Sequence, residues 1–284
     1  MGCFESRHPK RKRTSDSENR ARQDFEEKYC QLHPVGMETT ASVYAGYRRT
    51  NRHPVSIKYV PRVQGVEPSH SLPLEVWVMC RISSLKPAQR SAFVSLLDYY
   101  DLGEEVIMIL DHQPCSAMLS DFITGKGGSL QEEEVKVLFR QLLEAAKALQ
   151  SQEIWHGDIN KGKILIDFSA KVPKLKLTDF GTGCLGAWNS VHKGFQGTST
   201  HMPPEVFHYD VYQPGPLTVW QIGVTLYEML HNDKTFDIVN LLNNQLELRE
   251  GLSRGCLKVL NQCLIFEPLE RPNFKDLGSS SWLK

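Results

Sequence analysis

The chain has 284 residues, of which 40% are hydrophobic and 23% are charged. This composition excludes a chain that is disordered throughout, and the length fits one large domain or two lobes. Lys and Arg together number 33, as do Asp and Glu, and this balance argues against a dedicated nucleic-acid binder. The seven cysteines form no C-x-x-C pair, which favours reduced thiols over a zinc cluster or a disulfide framework.

The first 28 residues are polar and dense in charge, and such a composition predicts a disordered tail. Residues 1–6 match the N-myristoylation template, with Gly2 as the acylated residue and Cys3 as a second acylation position. Residues 9–13 form a basic run that is also typical of a nuclear-localisation signal. We therefore expect a cytoplasmic or nuclear protein, with membrane association as the alternative if the N-terminus is acylated.

From about residue 29 the hydrophobic pattern becomes that of a folded chain. Leu74, Val78 and Ile82 recur at helical spacing and predict one helix. Short runs rich in apolar and β-branched residues predict four strands, at residues 43–47, 55–60, 93–100 and 105–110. We therefore expect a β-rich N-terminal lobe over about residues 29–111.

The second half of the sequence has a different pattern. A short connector at residues 111–118 contains Pro114, and an amphipathic helix is predicted at residues 131–150. Two short apolar runs follow, at residues 163–168 and 174–177, and they flank a compact polar stretch. Further helices are predicted at residues 218–230, 254–266 and 274–277. The region from about residue 119 to residue 284 is therefore expected to be a mainly helical C-terminal lobe.

Four short segments with charged residues follow one another in a particular order. The first is V-S-I-K, which ends at Lys58, and the second places Glu75 on the next helix. The third is H-G-D-x-x-x-x-K at residues 156–163, and the fourth is D-F-G at residues 179–181. A strand lysine or a D-F-G tripeptide is common on its own, so the order and spacing of all four carry the signal.

This order resembles that of the protein kinases, which have V-A-I-K, a helix Glu, H-R-D-x-x-x-x-N, D-F-G and A-P-E. Here the last motif is P-P-E, ending at Glu205, and Arg271 stands where kinases place the arginine that pairs with that Glu. The segments LPLEV, DFIT followed by LQEEE, ILIDF and GTSTHMPPEVF resemble the Pim subfamily of serine/threonine kinases. The resemblance covers about residues 29–284 and implies an α+β, bilobal kinase fold with its hinge at about residues 111–118.

The resemblance also implies ATP and Mg²⁺ as cofactors. Lys58, held by Glu75, would neutralise the α- and β-phosphates. Asp158 would accept the proton of the substrate hydroxyl, Thr198 belongs to the same catalytic set, and Asp179 would hold Mg²⁺. The other nucleotide-binding positions are Gly36, Val43, Ser56, Leu110, Asp111, Leu165 and Lys163. The alternatives are a fold-holding ion pair for Lys58 and loop capping for the two aspartates.

The sequence departs from the kinase pattern at several positions. Gly36 is the one glycine left of the phosphate-covering loop, Gly157 replaces the arginine before the catalytic aspartate, and Asn160 replaces the catalytic-loop lysine. Lys163 replaces the metal-binding asparagine, and an ammonium group cannot ligate Mg²⁺. We expect this ammonium to take the place of a second metal ion beside the phosphates. Thr218 replaces a buried aspartate, which predicts a less rigid catalytic loop.

Two functions follow from the resemblance and from these departures. The first is a Pim-like serine/threonine protein kinase with reduced activity. The alternative is a pseudokinase that acts as a nucleotide-binding or scaffold module. Gly162 and Met118 stand where Pim kinases carry acidic groups, while Asp121 and Asp233 remain acidic, so the resemblance does not predict a clear preference for basic peptides. The expected partners are protein substrates and a nucleotide but no nucleic acid, and the chain is expected to be a monomer.

Overall fold

The structure is a computed structural model that describes residues 15–37, 41–62, 72–231 and 236–284. Its chain divides into two compact units. Unit 1 comprises the described residues through Val76 together with Leu96–His112, and unit 2 comprises those of Trp77–Ser95 and Gln113–Lys284. Unit 1 is built on a β-sheet and unit 2 is mainly helical, which confirms the predicted α+β class.

Unit 1 contains a five-stranded antiparallel sheet. The strands are β1 (Tyr29–Met37), β2 (Ser42–Arg48), β3 (Pro54–Pro61), β4 (Leu96–Asp101) and β5 (Glu105–Asp111). Their order in the sheet is β1-β2-β3-β5-β4. Ile57 on β3 and Ile107 and Ile109 on β5 are fully buried. All four predicted strands are present, with bounds shifted by a few residues, and β1 was not predicted.

The prediction of a disordered tail through residue 28 is wrong for its second half. Ser15–Lys28 form helix α1, a segment rich in good helix formers such as Glu, Arg and Ala. Its Phe25 is buried against the rings of Tyr29 and Tyr100. One buried aromatic ring on an otherwise charged helix gives no apolar stripe in the sequence. The acylation template and the basic run lie outside the described residues.

The boundary between the two units also differs from the prediction. The segment Trp77–Ser95 was assigned to the N-terminal lobe but belongs to unit 2. Within unit 2 the N–H of Val94 donates to the carbonyl of Leu177 at 3.0 Å, and the Phe93 ring lies 6.1 Å from that of Phe180. These contacts link residues far apart in the sequence, so local patterns did not reveal them.

Unit 2 carries most of the helices, and short strand pairs lie between them. The helices are α2 (Leu74–Ser83, which begins in unit 1), α3 (Pro87–Arg90), α4 (Leu119–Gly125), α5 (Glu132–Gln150), α6 (Pro204–Tyr209), α7 (Pro214–Leu230), α8 (Ile238–Leu242), α9 (Arg254–Cys263) and α10 (Phe274–Gly278). The strands are β6 (Ser116–Met118), β7 (Ile154–Trp155), β8 (Ile164–Asp167), β9 (Lys174–Leu177), β10 (Cys184–Leu185), β11 (His192–Lys193) and β12 (Val211–Tyr212). Three short 3₁₀ helices are Ser199–His201, Pro268–Glu270 and Ser281–Leu283.

Helices α5 and α7 form the centre of unit 2. The apolar face of α5 buries Leu138, Phe139 and Leu142, and every residue of α7 is buried. Each buried apolar side chain contributes about 1.5–3 kcal/mol, so these two helices give a rigid support for the loops around them.

None of the helices in the described part of the chain combines the length and apolarity that a membrane span requires.

Candidate functional site

The predicted ion pair of unit 1 is present. Lys58 Nζ on β3 donates to Glu75 Oε1 in the first turn of α2 at 2.8 Å. The two side chains are only 4% and 6% exposed. A buried charge is stable only when it is paired, so each side chain fixes the position of the other.

The nucleotide-binding positions predicted for unit 1 lie on neighbouring strands of its sheet. Gly36 on β1 pairs with Val43 on β2, which in turn pairs with Lys58 on β3. Ser56 on β3 pairs with Leu110 on β5. Asp111 ends β5, and its carboxylate lies 2.7 Å from His53 Nε2. The three residues that follow β1, at positions 38–40, lie outside the described residues.

Asp158 and Thr198, which the resemblance assigns to one catalytic set, are in contact in unit 2. The backbone N–H of Thr198 donates to Asp158 Oδ1 at 2.7 Å, and the Thr198 hydroxyl donates to Oδ2 at 3.1 Å. Asp158 is 5% exposed. Asn160 Nδ2 donates to the Thr198 hydroxyl at 3.1 Å. Both oxygens of the Asp158 carboxylate are therefore oriented by a residue 40 positions further along the chain.

His156 holds the start of the catalytic loop, the segment at residues 156–163. Its Nδ1 accepts a hydrogen bond from the backbone N–H of Asp158 at 3.3 Å, and its Nε2 lies 3.0 Å from the carbonyl of Thr178. Burial lowers the pKa of His156 to about 4, so the ring is neutral near pH 7. It packs 4.9 Å from the ring of Phe180. His156 is therefore a packing and positioning residue.

The backbone explains why the arginine of the kinase pattern is replaced by glycine. Gly157 has φ +79°, a conformation that favours glycine. A Cβ at this position would lie 2.2 Å from the carbonyl oxygen of Thr182. The loop in this conformation has no space for a side chain at residue 157.

Gln221 supports the catalytic loop, and the sequence-based prediction of a loosened loop is wrong. Gln221 on α7 is fully buried. Its Nε2 donates to the carbonyl of Gly157 at 2.8 Å, and its Oε1 accepts from the N–H of Ile159 at 3.1 Å. These two bonds hold the backbone on both sides of Asp158. The hydroxyl of Thr218, by contrast, donates to Pro214 within its own helix at 2.7 Å.

A sequence signal for Gln221 existed. The residues around it in α7 are mostly apolar, and a glutamine in such a helix must find buried hydrogen-bond partners. The prediction considered only position 218, where kinases carry an aspartate and this chain has Thr218. It therefore missed the residue that supports the loop. The amide is one helical turn further along and can both donate and accept, which a carboxylate cannot do.

Replacing Gln221 with leucine is expected to lower the free energy of unfolding by about 2–4 kcal/mol, because it leaves a buried N–H and a buried carbonyl unpaired. The matched control is Thr218→Val, which removes one hydroxyl bond at similar size and should cost about 1 kcal/mol. Urea denaturation of both variants measures these changes. Equal losses in the two variants would contradict the supporting role of Gln221.

Lys163 and Asp179 form an ion pair between Nζ and Oδ2. Their side chains are 25% and 14% exposed. Asp179 Oδ1 accepts a weak bond from the N–H of Gly181 at 3.4 Å. Leu165 lies two residues beyond Lys163, on β8, and is half-buried. The aspartate expected to bind a metal ion is thus already held by a cation of the protein.

A resident divalent cation does not fit these residues. Mg²⁺ requires oxygen ligands in near-octahedral arrangement, and the lysine at position 163 offers an ammonium group with no acceptor. Asp179 is the one carboxylate that the motif supplies here, and Lys163 engages it. Among the described residues there is also no group of three His, Cys, Asp or Glu side chains that could hold a metal ion.

The pair Glu205–Arg271, which the resemblance implies, is also present. Arg271 Nη1 and Nη2 donate to the two Glu205 carboxylate oxygens at 2.7 and 2.6 Å. Its remaining N–H groups donate to the carbonyls of Ile265, Pro216 and Phe266. All five donors of the guanidinium are thereby used, and the group lies 4.9 Å from the ring of Trp220.

Comparison with known proteins identifies the family of this chain. A model described as the protein kinase domain matches residues 29–283. The chain is 28% identical over 273 residues to serine/threonine-protein kinase pim-2 of Danio rerio, across 92% of this chain and 86% of that protein. It is 26% identical over 271 residues to serine/threonine-protein kinase prk-2 of Caenorhabditis elegans, across 92% of this chain and 59% of that protein.

A viral relative is also similar. The chain is 27% identical over 192 residues to serine/threonine-protein kinase 1 of African swine fever virus (strain Badajoz 1971 Vero-adapted), across 67% of this chain and 63% of that protein. The family consists of phosphotransferases that in general use ATP and a divalent metal ion. The match to the family model covers nearly the whole chain beyond its first 28 residues. The chain therefore belongs to the protein kinase domain family.

Proposed function

We propose that this chain is an ATP-dependent serine/threonine protein kinase of the Pim type with reduced activity. The observation that carries the proposal is the geometry of Asp158, whose two carboxylate oxygens are oriented by Thr198. Phosphoryl transfer depends mainly on positioning and on charge neutralisation. A carboxylate whose two oxygens are held in place can accept the proton of a substrate hydroxyl.

In the proposed reaction Asp158 accepts the proton of a serine or threonine hydroxyl as that oxygen bonds to the γ-phosphorus, and the bond from the γ-phosphorus to the β–γ bridging oxygen breaks to release ADP. His156 and Gln221 keep the backbone around Asp158 in place. The Lys58 ammonium, held by Glu75, supplies positive charge to the α- and β-phosphates. Each of these groups is positioned before substrate arrives, so little reorganisation is required during the reaction.

The reduction in activity follows from Asn160. A kinase of the usual pattern has a lysine here, and its charge stabilises the γ-phosphate. The Asn160 amide is neutral and both of its N–H donors are used: it donates to the Thr198 hydroxyl and to the backbone carbonyl of Asp158, and its oxygen accepts from the N–H of Gly162 at 2.8 Å. Asn160 therefore helps to hold the loop but contributes no charge to the transition state.

The metal requirement and the substrate preference complete the proposal. Any Mg²⁺ arrives with the nucleotide rather than being held by the protein, since the Asp179 carboxylate is engaged by Lys163. Gly162 and Met118 carry no negative charge where Pim kinases have acidic groups, and only Asp121 and Asp233 remain acidic, so we propose that basic peptides are not strongly preferred over neutral ones.

The test is transfer of labelled γ-phosphate from ATP by the purified full chain to itself and to matched peptides with serine, threonine or tyrosine as acceptor. Slow incorporation into serine and threonine, with basic peptides not strongly preferred over neutral ones, is the expected result. Incorporation that persists at the same rate in Asp158→Asn would indicate a contaminating kinase. No incorporation by a folded wild-type chain would overturn the proposal.

The second candidate is a pseudokinase, and one observation favours it. The ion pair between Lys163 and Asp179 occupies the carboxylate on which kinases place a metal ion. A pseudokinase would bind nucleotide without transferring the γ-phosphate. The same assay, combined with a nucleotide titration, separates the two candidates.

A further inference from the structure

The backbone places Lys163 and Asp179 next to each other. The N–H of Thr178 donates to the carbonyl of Lys163 at 3.1 Å, which extends the antiparallel pairing of β8 and β9 beyond Ile164 and Leu177. Lys163 is also fixed on its other side, where its N–H donates to the carbonyl of Asn160 at 3.0 Å. The ion pair thus follows from the strand register and is not a chance contact between mobile side chains.

The pair keeps one open side. Lys163 remains one quarter exposed and Asp179 is 14% exposed, so the ammonium is accessible to a ligand. An ammonium has three N–H donors, and the contact with Asp179 uses one of them. The other two can meet the oxygens of a polyanion without breaking the pair.

A divalent ion at the same carboxylate would meet an unfavourable neighbour. The Lys163 ammonium neutralises the charge of Asp179 and would repel a second cation placed a few ångströms away, because like charges at that distance cost free energy in a partly buried environment. Both cations would serve the same purpose, which is to neutralise phosphate oxygens. The Lys163 ammonium is part of the protein, so the protein does not have to bind a metal ion for this purpose.

We infer that Lys163 is the cation that meets the phosphates of a nucleoside triphosphate in this chain, and that nucleotide binding therefore does not depend on a divalent metal ion. This inference rests on the nucleotide binding contained in the proposed function. It concerns binding and does not require that the γ-phosphate is transferred.

The experiment is a calorimetric titration of ATP into the full chain, once in EDTA and once in excess MgCl₂, with the thermal-unfolding shift as a second readout. The two dissociation constants are expected to agree within about threefold. Binding that is tighter in MgCl₂ by about tenfold or more, or that is absent in EDTA, would overturn the inference.

Lys163→Asn provides the decisive variant, because it restores an uncharged oxygen donor. In EDTA its affinity for ATP should fall by at least about tenfold, and MgCl₂ should recover most of the loss. The matched control is Lys174→Asn, which removes the same charge from an exposed position on β9 and should leave both affinities unchanged. Equal affinity of Lys163→Asn and wild type in EDTA would also contradict the inference.

The outcomes separate this inference from the proposed function. Metal-independent binding without phosphoryl transfer would support the role of Lys163 and overturn the kinase. Transfer that accompanies strictly Mg²⁺-dependent binding would support the kinase and overturn the role of Lys163. A folded chain that binds no ATP under either condition would overturn both.

Discussion

The Asp158→Asn variant is expected to transfer phosphate at least about 100-fold more slowly than wild type, because general-base catalysis contributes that much or more. Asparagine has the same shape, so its oxygen can still accept the N–H of Thr198, and its NH₂ group can face the Thr198 hydroxyl. It cannot take up a proton from the substrate. The initial rate with a saturating peptide is the quantity to measure.

The control for Asp158→Asn is that nucleotide affinity and the free energy of unfolding should change little. The loss should therefore appear in kcat, with KM for ATP nearly constant. A variant that is slower than wild type but keeps more than about one tenth of its rate would show that Asp158 is not the general base, whereas an unchanged rate would indicate a contaminating kinase.

The Arg271→Met variant is expected to lower the free energy of unfolding by about 3–5 kcal/mol, the usual cost of leaving a buried charge without its partner. The substitution leaves the Glu205 carboxylate unpaired and removes the donors for three backbone carbonyls. Methionine retains much of the side-chain volume, so the effect reports on polar pairing rather than on a cavity. Urea denaturation at pH 7 measures it.

The double variant Arg271→Met with Glu205→Gln provides the control for the pair. Because it removes both charges, it should recover part of the stability lost in the single variant. A loss below about 1 kcal/mol in Arg271→Met would contradict the view that this pair anchors unit 2.

The order of motifs in the sequence was sufficient to predict two contacts of the structure. Lys58 pairs with Glu75 and Glu205 pairs with Arg271, as predicted, whereas the hydrogen bonds from Thr198 to Asp158 were not predicted. Each of the two predicted contacts joins residues that carry complementary charge within recognisable motifs. The resemblance to the kinase motifs, rather than the residue types alone, therefore identified their partners, although the residues are up to 66 positions apart.

Other features depended on contacts that no local pattern records. Helix α1 is held by Phe25 against Tyr29 and Tyr100, and a single aromatic residue in a charged segment doesn't predict a helix. Gln221 took over a role that the kinase pattern assigns to the position of Thr218, one turn earlier. In both cases the tertiary environment, rather than propensity or motif, decided the structure.

The ion pair of Lys163 with Asp179 was predicted only in part. The sequence predicted that Lys163 replaces a metal ligand and meets phosphates. It did not predict that the same ammonium would bind the aspartate of the D-F-G motif. That contact depends on the register of β8 and β9, which a single sequence does not specify.

The central claim is that the chain uses ATP and that the buried pair of unit 1 serves this purpose. The most direct measurement is a calorimetric titration of ATP into wild type and into Lys58→Met with Glu75→Gln, a double variant that removes both charges of the pair. We predict saturable one-site binding to wild type and an affinity at least about tenfold lower for the folded double variant. No saturable binding to folded wild type, or equal affinity in both proteins, would contradict the claim.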